Sequence, residues 1–501
     1  MDFESNYDIA ASAQFIHTHN FTRVALQFPD NLLKDSTRVV TALRKRLQSL
    51  KEIDATESGH ETDVGLFVMA DTAYGSCCVD EVGASHINAD CVIHYGHTCF
   101  SPTTTLPSFF VFGKASICIA DCVESMSKYA LTNSKPIMVV FGLEYAHSMQ
   151  QIKEALLESS VSCRFDPKPD VHFADFPSSV MFPSKDIKKI KGLQEPASGC
   201  NDENGTTYSI GGLTWKLPEG QSMDDYLLFW IGLDDSAFAN VVLTFNTCEI
   251  VRYDANENQV VTDLFQQRRI LKRRYYLVER AKDANIVGIL VGTLGVAGYL
   301  HIINQMKELI TAAGKKAYTL VMGRPNPAKL ANFPECDVFL YVSCAQTALL
   351  DSKEYLAPVI TPFEAMIAFN RGSQWTGAYV MEFRDLINLP QMEVGDQEEE
   401  ARFSFLKGGY IEDFENQENL SENVGEEREV LALVNATEKA LQLRNNSNAL
   451  MKGNARSGAE FLANRSYQGL NMPSDNASPE PYLIGRRGRA SGYEDEKNKQ
   501  T

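Results

Sequence analysis

Apolar runs of strand length alternate along this chain with longer stretches of mixed apolar and charged residues, a pattern that predicts strands followed by covering helices. Three openings share one texture. Arg23-Val24-Ala25-Leu26-Gln27-Phe28-Pro29-Asp30 leads to a helical stretch from Thr41 to Leu47, and Pro136-Ile137-Met138-Val139-Val140-Phe141 leads to Met149 through Leu157. Ile286-Val287-Gly288-Ile289-Leu290-Val291 leads in the same way to Ile302 through Ala313. Such alternation implies parallel sheets with helices on their faces. The predicted fold class is therefore α/β, with three similar parallel-sheet domains at 6–130, 131–268 and 269–395 and an acidic tail at 396–501.

The middle unit carries a polar insertion near Ser198 to Thr207, including Asn201-Asp202-Glu203-Asn204-Gly205, which reads as a mobile surface loop. Beyond about residue 393 acidic residues dominate, in Gly395-Asp396-Gln397-Glu398-Glu399-Glu400 and again from Glu415 to Glu429. A helix is expected near Glu426 to Leu443, and an extended or disordered segment from Asn471 to Thr501.

At 501 residues the chain exceeds what one core can organise. Its 47 Lys and Arg against 65 Asp and Glu give a net charge of -18, a field that repels phosphate backbones and argues against nucleic-acid binding. The acidic start, Met1-Asp2-Phe3-Glu4-Ser5, lacks the basic segment and apolar core of a secretory signal. The nearest approach to a membrane span, Ile286 to Leu300, is broken by Gly288, Gly292, Gly295 and Gly298. The expectation is a soluble cytoplasmic protein. In that reducing compartment the 11 cysteines are free thiols or metal ligands rather than a disulfide framework.

A second set of strands brings in the chemistry. Asp90-Cys91-Val92-Ile93-His94-Tyr95 runs on to Cys99, Asp337-Val338-Phe339-Leu340-Tyr341-Val342-Ser343 runs to Cys344, and Asp225 to Gly232 has the same form without a cysteine. Ligands of open α/β sheets sit beyond the carboxyl ends of the strands, so these thiols are aimed at a site. Tyr74-Gly75-Ser76-Cys77-Cys78 follows another apolar run, Val64 to Ala70, and precedes the helix start Val79-Asp80-Glu81-Val82, where free N–H groups favour a thiolate. Neighbouring side chains are expected to diverge, so Cys78 is the favoured ligand with Cys77 in reserve. Thiols from distant strand ends point to a soft metal or an iron–sulfur cluster. His94, His97 and Cys99 offer an alternative partial zinc site, although His94, within its strand, reads as a core histidine. Cys118 and Cys122 share a helix face and are expected to pack. Gly292-Thr293-Leu294-Gly295 fits neither a dinucleotide nor a P-loop fingerprint and reads as a tight strand-to-helix turn.

At these residues the chain resembles the subunit 2 type of the diphthamide synthesis family. The resemblance rests on Leu26-Gln27-Phe28-Pro29-Asp30, on Ala70 through Asp80, on His94-Tyr95-Gly96-His97-Thr98-Cys99, on Gly292-Thr293-Leu294-Gly295 and on Pro358 through Glu364, and covers about 6–370. It implies three α/β domains arranged around a [4Fe-4S] cluster site. It also implies transfer of a 3-amino-3-carboxypropyl group from S-adenosylmethionine to a histidine of elongation factor 2.

Catalytic members of that family place one cysteine in each domain. In the middle stretch, Ile210-Gly211-Gly212-Leu213-Thr214-Trp215, a leucine stands where that cysteine belongs. The resemblance therefore implies the non-catalytic half of a heterodimer with the catalytic subunit 1, holding its own cluster through Cys78, Cys99 and Cys344. Elongation factor 2 as protein substrate and a small metalloprotein as electron donor are the further implied partners. Two rival expectations stand beside this one: a catalytic subunit that binds S-adenosylmethionine itself, and a structural partner with an empty or zinc-filled site.

Overall fold

A computed structural model of the chain describes residues 2–389 and 402–411, apart from 55–62, 70, 71, 73, 134, 163–169, 177, 184–199, 203, 204, 263, 351–353, 371, 372, 374 and 405–407. The acidic stretch near 395–400, the helix expected from 426 to 443 and the segment 471–501 lie outside the described residues.

The predicted apolar runs become the central strands of three sheets. In the first, β1 (Arg23–Gln27), β2 (Gly65–Met69), β3 (Cys91–Tyr95) and β4 (Ser108–Val111) pair in parallel in the order β2-β1-β3-β4. The second is built from β5 (Ile137–Phe141) and β6 (Val171–Phe173), while β7 (Val180–Met181) returns to pair antiparallel with β4. After β8 (Cys200–Asp202), β9 (Gly205–Ile210) and β10 (Leu213–Leu217), the second sheet resumes with β11 (Leu227–Ile231), β12 (Glu249–Asp254) and β13 (Gln259–Val261). Its order is β13-β12-β11-β5-β6. The third contains β14 (Ile286–Val291), β15 (Lys316–Val321), β16 (Val338–Val342) and β17 (Val359–Ile360) in the order β15-β14-β16-β17.

Numbered within each sheet, the first four strands are arranged 2-1-3-4 in all three. This arrangement opens a crevice beyond the carboxyl ends of strands 1 and 3, where the order reverses. Strands β5, β11 and β16 are buried at every position, as near-continuous apolar runs require when helices cover both faces of a sheet. One device recurs at the entry to the first and third sheets. Asp90 accepts from the N–H groups of Thr22 and Arg23 at 2.8 and 2.9 Å, and Asp337 from those of Asn285 and Ile286 at 2.9 and 3.0 Å. Each aspartate before strand 3 thereby aligns the start of strand 1.

Two expectations need correction. The first two sheets are mixed rather than parallel, because β7 and β13 pair antiparallel at their edges. The polar insertion is also not a surface loop where it is described: β8, β9 and β10 form a three-stranded antiparallel sheet. The alternation Tyr208-Ser209-Ile210 and Leu213-Thr214-Trp215 supplies that sheet with a buried face, including Ile210, Leu213 and Trp215. No helix among the described residues is long and apolar enough to cross a membrane.

Candidate metal centre

The first and third sheets meet through their crevices. Cys77, Cys78 and Cys99 pack within the same apolar cluster as Val291, Val342 and Cys344, so thiols from the first unit are buried in the core of the third. All four cysteines are nearly closed to solvent, at 4%, 6%, 2% and 1% exposure in chain order. Their sulfurs lie within 4.8 Å of one another. Cys77 Sγ is 3.4 Å from Cys344 Sγ, and Cys99 Sγ is 3.7 Å from Cys78 Sγ.

Local bonding explains why the cysteine turn holds this shape. Asp80 caps the helix Glu81–His86 by accepting from Gly83 N–H at 2.9 Å. Buried Gln27, at the end of β1, donates its amide to Cys78 O at 2.8 Å and accepts from Asp80 N–H at 2.9 Å, clamping both sides of the turn. Cys77 O accepts from Cys99 N–H at 3.1 Å and from the Thr98 hydroxyl at 3.2 Å. From the third unit, Arg324 Nε donates to Tyr74 O at 2.7 Å, and Ala297 N–H donates to Pro102 O at 2.9 Å. A β-carbon added at Gly295 would stand 2.0 Å from Val79 O. Gly295→Ala is therefore expected to push the third-sheet turn off the cysteine turn, destabilising the fold by about 1–3 kcal/mol. Thermal melting checks the stability, and faster labelling of native thiols checks the displacement.

Hydrogen bonds among the sulfurs divide their acidities. Bonds from Cys77, Cys78 and Cys99 hold Cys344 well below the ordinary thiol range, while bonding to Cys344 pushes Cys78 and Cys99 up. Among four sulfurs so close, one ionises before the rest, because each proton lost makes the next loss harder. A cation drawn to it displaces the remaining protons, since metal ligands must be deprotonated. The group contains no imidazole and no carboxylate. Four thiols are the donor set of structural zinc and of [4Fe-4S] clusters, so the residues fit either group.

The structure brings together Cys78, Cys99 and Cys344 and adds Cys77, whose side chain does not diverge from its neighbour's as expected. In a turn closed by the Cys78 N–H to Gly75 O bond at 3.3 Å, successive side chains do not alternate as they do on a strand. His94 stays outside the group. Its Nε2 is 3.0 Å from Ser76 O, and burial pushes its pKa down to about 4, so it serves the turn as a neutral ring. The pair Cys118 and Cys122 splits: Cys118 is the exposed cap of the helix Ile119–Thr132, and only Cys122 is packed in the core. Cys248, buried, donates to Met223 O at 3.2 Å and takes no part.

Leu213 lies on β10 in the core of the second unit. It also lines a cleft whose walls include Thr98, Glu144, Trp230, Asp235 and Gln346. The cleft thus reaches the neighbours of Cys99 and Cys344, with leucine on the wall that the second unit contributes. Burial raises the Glu144 carboxyl there.

The diphthamide synthesis protein family matches residues 28–380 of the chain. The 2-(3-amino-3-carboxypropyl)histidine synthase subunit 2 of Danio rerio is 34% identical over 508 residues, covering 98% of this chain and 92% of that protein. Its counterpart in Gallus gallus is 33% identical over 512 residues, covering 100% and 94%. Among solved structures, that of Dph2 from Pyrococcus horikoshii with a 4Fe-4S cluster superposes with a TM-score of 0.50 at 18% identity, covering 74% of this chain and 94% of that one. That likeness bears on the fold.

Proposed function

The chain belongs to the diphthamide synthesis protein family, and on that premise we propose that it is the non-catalytic iron–sulfur subunit of a two-subunit 3-amino-3-carboxypropyl transferase. The substrate is a histidine of elongation factor 2, and the partner subunit cleaves S-adenosylmethionine. One observation carries the reading: the first and third units contribute four buried thiols to one group, while the second places Leu213 on the wall of the cleft beside it. The three sheets, with their shared 2-1-3-4 order, are read as three related domains around that group.

Cys78, Cys99 and Cys344 would hold a [4Fe-4S] cluster, with Cys77 in reach as a fourth thiolate. When bound, such a cluster supplies one-electron transfer, here toward the catalytic centre of the partner. The residues of this chain hold the cysteine turn, exclude water and leave leucine on the cleft wall. Leucine has no atom that ligates iron. No catalytic role falls to this subunit in the reading, and a small metalloprotein is the proposed source of electrons.

Anaerobic purification with and without the partner, with iron and sulfide counts and electron paramagnetic resonance, tests the assignment. The isolated chain, reconstituted and reduced with dithionite, is expected not to cleave S-adenosylmethionine; cleavage by this chain alone would reverse the assignment. Co-expression with the catalytic subunit is expected to give a one-to-one complex by light scattering. A monomer indifferent to that partner would count against it.

The sulfur spacing also favours a second reading. A tetrahedral zinc with bonds of about 2.3 Å spaces its sulfurs about 3.8 Å apart, close to the 3.4 and 3.7 Å pairs here. Stoichiometric zinc without sulfide in the anaerobic protein would select it, and the subunit would then be a scaffold.

A further inference from the structure

Two threonine hydroxyls reach the sulfurs from the third unit. Thr293, buried in the turn after β14, places Oγ1 3.6 Å from Cys78 Sγ. Thr347 places Oγ1 3.1 Å from Cys344 Sγ, and the Ser343 hydroxyl lies 2.5 Å from the same threonine oxygen. Ser343 Oγ is in turn 3.4 Å from Gly292 O. Both threonines therefore stand at the third sheet's crevice, one beyond strand 1 and one beyond strand 3.

A hydroxyl has one proton to donate and two lone pairs, whereas a thiolate bound to a metal has no proton to give. At a loaded centre Thr347 can bond to Cys344 only by donating, and its oxygen then accepts the single Ser343 proton, which turns to it from the longer 3.4 Å contact with Gly292 O. Thr293 is oriented similarly, because its oxygen already accepts from Gly295 N–H at 3.3 Å and its proton is free for Cys78. Hydrogen bonds to ligand sulfurs favour the more negative, reduced state of an iron–sulfur centre and so raise its potential.

Resting on the reading of this group as an iron–sulfur site, we propose that Thr293 and Thr347 are positioning residues that raise its reduction potential by donating to Cys78 and Cys344, with Ser343 aiming the Thr347 hydroxyl. The competing role for Thr347 is bulk. Its methyl packs against the cysteine turn closely enough that a β-carbon at Gly75 would meet Cγ2 at 3.1 Å. Valine and serine substitutions separate the roles, because valine keeps the shape without the hydroxyl and serine keeps the hydroxyl without the methyl.

The full chain and its variants are reconstituted anaerobically with iron and sulfide, iron is counted, and the potential is read by spectroelectrochemical titration. Thr347→Val and Thr293→Val are expected to keep wild-type iron while each lowers the equilibrium constant for one-electron reduction about tenfold, equivalent to 59 mV. Ser343→Ala is expected to shift it less, in the same direction. An exchangeable proton coupled to the reduced centre in the wild type is expected to vanish in Thr347→Val. Unchanged potentials and proton couplings in both valine variants, with iron retained, overturn the inference and leave the iron–sulfur reading intact. If Thr347→Val loses iron, wild-type iron and potential in Thr347→Ser support the hydroxyl role, whereas loss in both assigns Thr347 to packing and overturns it. A wild-type chain that takes up no iron removes the underlying reading and this inference with it.

Discussion

Cys344→Ser is expected to empty the centre, and to do so more completely than any change in the residues around it. Losing a group that merely supports a ligand costs about 10–100-fold in metal affinity, so losing a ligand at the focus of the group should exceed roughly 100-fold. Cys344 is that focus: it is the third unit's contribution to the group, with its Sγ 3.4 Å from Cys77 Sγ and 3.1 Å from the Thr347 hydroxyl. Cys78→Ser and Cys99→Ser are expected to deplete iron as well. Turnover with a physiological reductant should slow in all three variants, while dithionite, able to reach the partner's centre directly, should partly restore it. Cys118→Ala and Cys122→Ala are the controls and should keep full iron, although Cys122→Ala opens a small void in the second core. Full iron retention in the triple Cys78, Cys99 and Cys344 variant would refute the ligand set and leave only a scaffold.

Glu364→Ala is expected to destabilise the chain by about 3–5 kcal/mol, a cost set by a charge left alone in the core. Arg274 Nε donates to Glu364 Oε1 at 2.5 Å, and Arg274 Nη2 pairs with Oε2. The Tyr379 hydroxyl donates to Oε1 at 2.9 Å, and Thr361 N–H to Oε2 at 2.9 Å, closing a capping box at the start of the helix Pro362–Phe369. The Arg274 and Glu364 side chains are 6% and 0% exposed. Removing the carboxylate leaves the guanidinium, the tyrosine hydroxyl and a helix-end N–H without their acceptor. By contrast, Lys128 and Glu124 form a pair that is 74% and 64% exposed, so Glu124→Ala should stay within about 0.5 kcal/mol of wild type. Urea unfolding compares them: the midpoint should fall markedly for Glu364→Ala and hardly at all for Glu124→Ala.

The parts of the fold legible in the sequence were those with a single physical cause. Ile137–Phe141, Leu227–Ile231 and Val338–Val342 are strands because an unbroken apolar run of that length suits a sheet covered on both faces, and each is buried throughout. The antiparallel sheet of β8, β9 and β10 was missed because acid and amide residues around Gly205 obscured the short alternation that follows. For the candidate site, strand ends point to Cys99 and Cys344, a helix start favours Cys78, and only the resemblance joins the three as a ligand set. The rule that favours Cys78 over Cys77 applies to strands and fails in a closed turn. Thr293 could not be found locally at all, since the sulfur that gives it meaning lies 215 positions away. Its Gly-Thr-Leu-Gly setting announced a turn and nothing about what the turn would face.

The 3.4 Å approach of Cys77 to Cys344 spans 267 positions of chain, and this separation orders events during biogenesis. A ribosome adding about 5–20 residues per second needs roughly 10–50 s to travel that distance. Throughout that interval the early thiols have emerged while their late partner does not yet exist. Metal can be captured by the assembled set only after residue 344 has cleared the exit tunnel and the third sheet has closed on the first. Capture by the full set therefore waits for the third sheet to close, and until then the nascent chain carries its first cysteines without their late partner.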